Sequence, residues 1–415
     1  MDIKKQLEII KRNTEEIIPE DELLQKLKKA EKTKIPLRVK WGADPSAPDI
    51  HLGHTVVLKK LRELQDLGHL VVFIIGDFTA RIGDPTGKET TRPPLSIEEV
   101  KKNSITYKEQ VFKILNKQKT KVVYNSSWLG DMKLEDLMKL LSVLSVSQTL
   151  QRNEFKERME KGKDIRMVEF IYPLLQGYDS VVLKADVEIG ATEQKFNLLM
   201  GRTIQKRYGQ DPQVVITMPV LEGLDGKQKM SKSLGNYVGI SETPEEIYGK
   251  IMSIPDELIL RYFKLLTSLK SEEIKKIENG LKKGIENPKI VKEKLASIIA
   301  EDFYDKKHAE EAKKIFDAKH TPGKSLEERI KHIKPEFKKI SSSQLNIDKI
   351  WVCKLLTIIG AAESNSEARR LIEQGAVYIE NKKVADPKDE IAISKESNTS
   401  VRVGKRKYYE IKLTE

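Results

Sequence analysis

An uninterrupted apolar run, Leu70–Ile75, constrains the fold of this chain more than any other feature of its sequence. Such a run without alternation is typical of a parallel strand that is covered on both faces. A helical pattern over residues 54–67 precedes it, and residues 37–41 before that read as another strand. Strand, helix and strand at this spacing predict an open α/β sheet of the Rossmann type. Further strands are predicted over residues 122–124, 180–183 and 213–217.

The composition changes at about residue 240, which predicts more than one domain. We expect an α/β domain over residues 1–240, opened by helices in residues 1–35, and an all-helical domain over 241–319. Thr243-Pro244-Glu245-Glu246 has the pattern of a helix start, with a capping Thr and an acidic residue three positions later. Residues 320–349, with Pro, Gly and serines 341–343, are predicted to be a linker. Residues 350–415 are predicted to form a small α/β unit.

The charge balance favours a polyanionic partner. Lys and Arg number 75 against 63 Asp and Glu, a formal net charge of +12. The same balance suits tRNA, DNA, the ribosome or an acidic membrane surface, and surface lysines that only aid solubility also explain it. The one cysteine, Cys353, excludes a disulfide within the chain and a cysteine zinc cage. With no signal-peptide pattern and no long apolar segment, we expect a soluble cytoplasmic protein that does not enter a membrane.

The first candidate motif is His51-Leu52-Gly53-His54, at the predicted opening of a helix. Free backbone N–H groups at a helix start favour phosphate, and Gly53 lets a ligand approach the backbone closely. The two imidazoles can donate hydrogen bonds to phosphoryl oxygens. A pair of surface histidines is the plainer interpretation, and a metal pair lacks an obvious third ligand.

The second candidate motif is Lys229-Met230-Ser231-Lys232-Ser233, in a predicted loop between Gly226 and Gly235. Two lysines three positions apart can follow a departing pyrophosphate. A solvated lysine pair is the alternative in so basic a chain. The two motifs together, in this order, resemble the paired ATP-binding signatures of class I aminoacyl-tRNA synthetases. That resemblance implies ATP-binding roles for Gly53 and Met230 and catalytic roles for the histidines and lysines.

A third motif indicates which amino acid is the substrate. Tyr172, Gln176 and Asp179 are spaced by four and three residues, so a helix presents them on one face. The pattern resembles the substrate helix of tyrosyl-tRNA synthetases. The resemblance implies that Tyr172 and Gln176 hold the amino group of tyrosine and that Asp179 meets its phenol hydroxyl. A partly exposed polar helix face is the alternative.

The same resemblance covers the rest of the chain. It implies that Asp84 contacts the substrate amino group, that Lys88 and Arg92 neutralise pyrophosphate, and that Glu193 binds the ribose. Further matching positions are Asp44 at the adenylate and Thr79, Asn125 and Gln194 in the tyrosine pocket.

Three positions depart from the common family pattern. Lys40 stands where the family usually has a phenol-binding Tyr, Trp41 stands where Cys can contact ribose, and Glu193 replaces the usual Asp. The Lys40 pattern is similar to a second bacterial subgroup. Which residue besides Asp179 holds the phenol oxygen is therefore left open.

Residues 365–379 resemble the S-four-like RNA-binding domain, named for a ribosomal protein. An amphipathic helix with a basic face is the alternative, and Asn381 departs from the usual Gly-bearing hairpin. The expected phosphate contacts are all cationic. They are Arg369, Arg370, Lys382, Lys383, Lys405, Arg406 and Lys407.

The resemblance as a whole implies an enzyme that activates L-tyrosine with ATP and transfers it to the 3′ end of tyrosine tRNA. It also implies a homodimer, with Mg²⁺ travelling on the ATP phosphates and no metal held by the protein. A tryptophanyl enzyme, a synthetase-derived RNA-binding protein without catalysis and an adenylate-forming enzyme without tRNA are the alternatives. Asp179 argues against a tryptophanyl enzyme, and the intact signature motifs argue against a protein without catalysis. The C-terminal unit argues against an enzyme that does not use tRNA.

Overall fold

The computed structural model describes residues 2–46, 48–84, 95–150, 153–320, 336–341, 349–380, 382–393, 398–404 and 407–414. The chain divides into two compact units, Met1–Lys313 and Lys314–Glu415. The boundary predicted at residue 240 falls inside the first unit, and the predicted four-part division stays a prediction. No helix in these ranges is both long enough and apolar enough to cross a membrane.

A six-stranded sheet forms the centre of the first unit. Its strand order is β1-β6-β5-β2-β3-β4, parallel throughout except that β1 pairs antiparallel with β6. The predicted Rossmann-type sheet is thus confirmed, and the order of its parallel strands reverses between β2 and β5. The strands are β1 (Glu16–Ile18), β2 (Arg38–Ala43), β3 (Leu70–Ile75), β4 (Thr120–Tyr124), β5 (Val187–Ala191) and β6 (Val214–Met218).

Helices pack against this sheet, and further helices follow it along the chain. The helices are α1 (Ile3–Lys11), α2 (Glu20–Thr33), α3 (Leu52–Asp66), α4 (Ile97–Val111), α5 (Ser126–Leu129), α6 (Leu134–Leu141), α7 (Val146–Leu150), α8 (Asn153–Glu160), α9 (Met167–Leu183), α10 (Lys195–Arg207), α11 (Pro244–Met252), α12 (Ile259–Leu266), α13 (Ser271–Lys282), α14 (Pro288–Phe303) and α15 (Lys306–His320).

Local sequence explains where several of these elements begin. β3 is buried along nearly its whole length, as its continuous apolar run predicts. Thr243 caps α11, accepting a hydrogen bond from the backbone of Glu246, whose side chain accepts one from the Thr243 backbone in return. The predicted helical segment over residues 241–319 is confirmed in α11 to α15.

Two predictions in the first unit are wrong. Residues 180–183 are the last turn of α9, not a strand, and β5 follows only after Lys184 ends the helix in a left-handed conformation. A short apolar run does not by itself distinguish a buried helix end from a strand. Residues 16–18, within the predicted N-terminal helices, form β1 because they pair with β6, a contact distant in sequence.

The second unit is a small α/β unit, the type predicted for residues 350–415, although it begins earlier, at Lys314. Its five-stranded sheet has the order β10-β9-β12-β13-β7, and β11 pairs with β8. The predicted linker over 320–349 is wrong in part, because residues 336–341 form β7, which pairs parallel with β13. The elements are β7 (Glu336–Ser341), β8 (Lys349–Trp351), α16 (Val352–Ile358), α17 (Asn365–Glu373), β9 (Val377–Ile379), β10 (Lys382–Lys383), β11 (Glu390–Ala392), β12 (Thr399–Val403) and β13 (Lys407–Thr414).

Candidate active site

A cavity of about 330 Å³ opens at the carboxyl ends of the parallel strands, where the strand order reverses. This is the edge at which open α/β sheets bind ligands. Residues that directly follow β2, β3 and β5 reach it, since the ends of parallel strands meet there. The predicted site residues that line it are Asp44, His51, Gly53, His54, Thr79, Asp84, Asn125, Tyr172, Gln176, Asp179, Glu193, Gln194, Lys229 and Met230.

His51 and His54 form the start of α3. His51 Nδ1 accepts a hydrogen bond from the Gly53 amide at 3.2 Å, and His54 Nδ1 accepts one from the His51 amide at 3.3 Å. Burial lowers the pKa of His51 to about 2, with His54 and the nearby lysines adding to the effect, and lowers the pKa of His54 to about 4. Both rings are therefore neutral at pH 7, and because Nδ1 accepts, the proton lies on Nε2.

Both lysines of the second motif contact acidic residues, and one of these, Glu193, lines the cavity. Lys229 Nζ lies 2.8 Å from Glu193 Oε2, and Lys232 Nζ donates to the Asp49 carbonyl with the Asp49 carboxylate 3.6 Å away. Met230 between them is 5 % exposed, so the segment is anchored by an apolar side chain. The motif thus lies against the loop after β5 and the residues just before α3. Lys232 does not itself line the cavity.

Asp44 is the centre of a hydrogen-bond network in the wall of the cavity. Its carboxylate accepts from the Tyr172 hydroxyl at 2.9 Å and from Thr79 Oγ1 at 2.7 Å. Asn125 in turn donates to Thr79 Oγ1 at 3.1 Å. A side chain at Gly76 would place Cβ 2.1 Å from Asp44 Oδ1, so only glycine leaves room for this arrangement.

Asp84 belongs to a second polar group at the same cavity. Its carboxylate accepts from Gln194 Nε2 at 2.7 Å, and Asn197 Nδ2 lies 3.1 Å from Gln194 Oε1. Side chains from the loops after β3 and β5 are joined in this way. With these contacts made, Asp84 still faces the cavity that Tyr172 and Gln176 also line.

Asp179 is 3 % exposed and lines the cavity. Burial raises the pKa of its carboxyl from 3.8 to about 7, while Lys40 and hydrogen bonds from Trp128 and Asn125 lower it. Trp128 Nε1 donates to Asp179 Oδ1 at 2.8 Å. A carboxylate oxygen has two lone pairs, so Asp179 keeps acceptor capacity for a polar group on a ligand.

Lys40 and Glu188 form an ion pair beneath α9. Lys40 Nζ lies 2.9 Å from Glu188 Oε1, and each side chain is 1 % exposed. The pair joins β2 to β5, the two strands at which the sheet order reverses. Glu188 lines the cavity, whereas Lys40 does not.

The predicted tRNA-binding residues lie in the second unit. Arg369 and Arg370 are exposed on α17, Lys382 and Lys383 are exposed on β10, and Lys407 begins β13. Four predicted site residues lie outside the described residues. They are Lys88, Arg92, Lys405 and Arg406.

The sequence profile of a family described as "tRNA synthetases class I (W and Y)" matches residues 31–321. The chain belongs to this family. A second profile, "Tyrosine--tRNA ligase SYY-like C-terminal domain", matches residues 332–411.

Full-length relatives and solved structures agree with this family. A "Tyrosine--tRNA ligase" of Carboxydothermus hydrogenoformans is 53% identical over 99% of this chain and 98% of its own, and one of Desulfotalea psychrophila is 47% identical over 99% and 98%. A tyrosyl-tRNA synthetase structure from Archaeoglobus fulgidus, titled as complexed with L-tyrosine, has a TM-score of 0.59 at 24% identity. It covers 75% of this chain and 99% of that chain, and at this identity it supports the fold alone.

The sequence did not indicate several residues that line the cavity or contact its lining. Glu188, Trp128, Asn197 and Asp49 were not predicted, although each contacts a predicted site residue. Glu188 offers a signal, because a lone carboxylate between Val187 and Ile189 is unusual in a buried strand. Trp128 offers none, since its role depends on how α5 packs against α9.

Among the described residues, no group of three or more His, Cys, Asp or Glu side chains is arranged to hold a metal ion. The carboxylates of Asp44 and Asp84 instead accept hydrogen bonds from neighbouring side chains.

Proposed function

We propose that this chain is a tyrosine–tRNA ligase, which joins tyrosine to ATP as tyrosyl-adenylate, releases pyrophosphate and then transfers the tyrosyl group to the 3′ end of tyrosine tRNA. The observation that carries this proposal is that Tyr172, Gln176 and Asp179 face the same cavity as the two signature motifs. Relatives of about half identical sequence over almost the whole chain bear that name.

In this proposal, Asp179 accepts a hydrogen bond from the phenol hydroxyl of tyrosine. A buried carboxylate needs a donor, and phenylalanine supplies none. Tyr172 and Gln176, two helical turns and one turn from Asp179, meet the amino group together with Asp84. The two ends of the amino acid are thereby held by one helix and by the loop after β3.

In the first step, a carboxylate oxygen of tyrosine attacks the α-phosphorus of ATP, the bond to the β-phosphate oxygen breaks, and pyrophosphate leaves. No general base is required, because the attacking carboxylate is already ionised, so placement and charge stabilisation provide the catalysis. Neutral His51 and His54 donate from Nε2 to phosphoryl oxygens. Lys229 and Lys232 exchange their carboxylate partners for pyrophosphate, and Glu193, released from Lys229, meets the ribose.

Lys88 and Arg92 also neutralise pyrophosphate in this scheme. Asp44, Gly53 and Met230 border the adenylate, and Thr79, Asn125 and Gln194 support the tyrosine pocket. Mg²⁺ enters as the counterion of the ATP phosphates and belongs to the substrate.

The second unit binds tRNA through its cationic residues. Exposed arginines on α17 and lysines on β10 suit phosphate contacts, which supply affinity without reading sequence. A cytoplasmic location fits this activity, since tRNA and ATP are found there and the single cysteine suits a reducing compartment.

The enzyme is a homodimer in this proposal. Leu134 and Met138, one turn apart on α6, are 73% and 60% exposed, and exposed apolar residues of this kind are buried in subunit interfaces. Light scattering that gives the mass of one chain at micromolar concentration would contradict the dimer without affecting the proposed chemistry.

Exchange of labelled pyrophosphate into ATP tests the activity. The full chain is assayed with tyrosine, tryptophan and phenylalanine in turn, and then for charging of tyrosine tRNA. We expect exchange with tyrosine alone, followed by charging. Exchange that depends on tryptophan, or none with any of the three, would overturn the proposal.

A further inference from the structure

The ammonium group of Lys40 has three N–H donors, and each is used within the protein. It donates to the Gln176 carbonyl at 2.8 Å, to Ser180 Oγ at 2.7 Å and to Glu188 Oε1 at 2.9 Å. A lysine has no further donor. Lys40 therefore has none left for a substrate hydroxyl, and it does not hold the phenol oxygen.

Glu188 connects this buried lysine to the cavity. Its Oε1 also accepts from Gln176 Nε2 at 3.3 Å, and its Oε2 accepts from Ser180 Oγ at 3.2 Å and from Gln213 Nε2. Gln176 is thus held twice, by its carbonyl through Lys40 and by its side chain through Glu188. The pair fixes one turn of α9 against the sheet, and Asp179 lies on that turn.

We propose, on the basis of the proposed function, that Lys40 and Glu188 are positioning residues that determine selectivity for tyrosine. Neither touches the phenol. The pair holds Gln176 where it meets the amino group of tyrosine and Asp179 where it meets the phenol hydroxyl. The opposite charges of Lys40 and Glu188 also balance at Asp179, so its carboxyl remains able to ionise and to accept a hydrogen bond from the phenol.

The charged and titratable groups that face Asp179 come from three elements. They are Lys40 on β2, Glu188 on β5 and Tyr172 on its own helix, α9. The uncharged donors Trp128 and Asn125 also contact its carboxylate. Lys40 lowers the pKa of Asp179 and Glu188 raises it. Neutralising one member of the pair should therefore shift the ionisation of Asp179 in the opposite direction from neutralising the other.

The test compares Lys40→Met with Glu188→Gln in tyrosine-dependent pyrophosphate exchange from about pH 5.5 to about pH 9. In the wild type, kcat/KM for tyrosine should rise with pH as Asp179 ionises. Lys40→Met should move this rise to higher pH and Glu188→Gln to lower pH, each by about half a unit or more. Each should also reduce the preference for tyrosine over phenylalanine by roughly tenfold or more, because Gln176 and Asp179 lose their fixed positions.

Glu188→Gln is the variant that the fold accommodates best. Gln213 Oε1 is buried without a hydrogen-bond partner among the described residues, so rotation of that amide would offer an acceptor to the side-chain N–H that the substitution introduces. The rotation would give up the hydrogen bond from Gln213 Nε2 to the Leu198 carbonyl. Lys40→Met leaves a buried carboxylate unpaired and is the harder substitution for folding. The double variant Lys40→Met with Glu188→Gln removes both charges. Its kcat/KM for tyrosine should rise at a pH between the values for the two single variants.

Glu169→Gln is the matched control. Glu169 is fully buried on the same helix and paired with Arg158, but it does not line the cavity. It should lower the melting temperature without moving the pH of the rise. If the wild type uses tyrosine and the variants shift in the same direction, or not at all, the positioning role is wrong. If the wild type does not use tyrosine, the proposed function fails, and this inference fails with it.

Discussion

At the scale of single residues, His51 and His54 show how position changes the chemistry of a side chain. Their ring centroids lie 3.9 Å apart, and burial holds the pKa of both rings well below neutral pH. A neutral imidazole donates one hydrogen bond in a direction that its other nitrogen determines. The pair can therefore stabilise charge on a phosphoryl group without changing its own protonation.

We expect His54→Ala to slow adenylate formation by about 100-fold, the cost of one lost donor to a developing charge. Between about pH 5.5 and about pH 9 the wild type should show no ionisation that the variant lacks, because the His54 ring stays neutral over this range. Single-turnover adenylate formation measures both effects. His308→Ala, at an exposed histidine outside the cavity, is the control. A loss of activity in the wild type as a group of pKa near 6.5 protonates, absent from the variant, would contradict the neutral assignment.

Asp179 should reduce stability at neutral and alkaline pH. Its folded pKa of about 7 lies above the ordinary value of 3.8. The contribution of Asp179 to the free energy of unfolding is most favourable below the ordinary pKa, where the carboxyl is protonated in both states. This contribution falls as the pH rises and is lost as the pH passes through the folded pKa. Asp179→Asn does not titrate, so its melting temperature should exceed that of the wild type by a margin that increases from about pH 5 to about pH 7.5 and then levels off, corresponding to at most about 4 kcal/mol. A constant margin across this range would indicate that Asp179 is ionised throughout.

At the scale of elements, the junctions after the strands place the site. Asp44, Gly76 and Asn125 follow β2, β3 and β4, and each contributes to the network around Thr79. The close approach at Gly76 makes this network sensitive to one methyl group.

Gly76→Ala should displace the Asp44 carboxylate, whose Oδ1 would lie 2.1 Å from the new Cβ. We expect tyrosine binding to weaken by about tenfold or more, because Tyr172 loses its fixed acceptor. Gly249→Ala is the matched substitution, since it lies in α11 with open space around the added Cβ. It should stabilise the protein by about 0.5–1 kcal/mol and leave tyrosine affinity unchanged. Equilibrium binding and thermal melting of both variants measure this, and equal behaviour would contradict the packing argument.

The second motif is tested at the same scale. If Lys232 leaves Asp49 to meet pyrophosphate only as it departs, Lys232→Ala should lower the adenylation rate by about 100-fold and change tyrosine affinity by less than about twofold. Lys227→Ala, an exposed lysine in the same loop, should leave both values near those of the wild type. Pre-steady-state adenylate formation distinguishes the two. An unaltered rate in Lys232→Ala would remove this lysine from the mechanism.

At the scale of the whole molecule, the two compact units suggest a division of labour. Every described residue of the cavity lies in Met1–Lys313, whereas the exposed cations of α17 and β10 lie in Lys314–Glu415. Because β7 belongs to the second sheet, a cut at residues 341–343 would remove its partner strand β13. The informative cut is therefore directly after His320, at the end of α15.

A chain that ends at His320 should make tyrosyl-adenylate at a rate within about threefold of the full chain, because the cavity is unchanged. It should charge tRNA poorly, and the salt dependence of its tRNA affinity should lose about 0.7–0.9 in slope for each phosphate contact removed. Exchange, charging and tRNA binding at several salt concentrations are measured on one preparation. If exchange and charging fall together, the second unit has a structural role instead.

Local sequence by itself determined much of this protein. The buried strand β3, the capped start of α11 and the single face shared by Tyr172, Gln176 and Asp179 follow from patterns within a few residues, since helix and strand periodicity are local properties. The tertiary structure alone decided that residues 180–183 end a helix and that residues 16–18 form a strand. It also decided that Lys40 is a buried ion-pair partner that does not line the cavity, because a lysine in a strand is solvated or buried according to what packs against it. Its partner Glu188 lies on another strand, and only folding brings the two together.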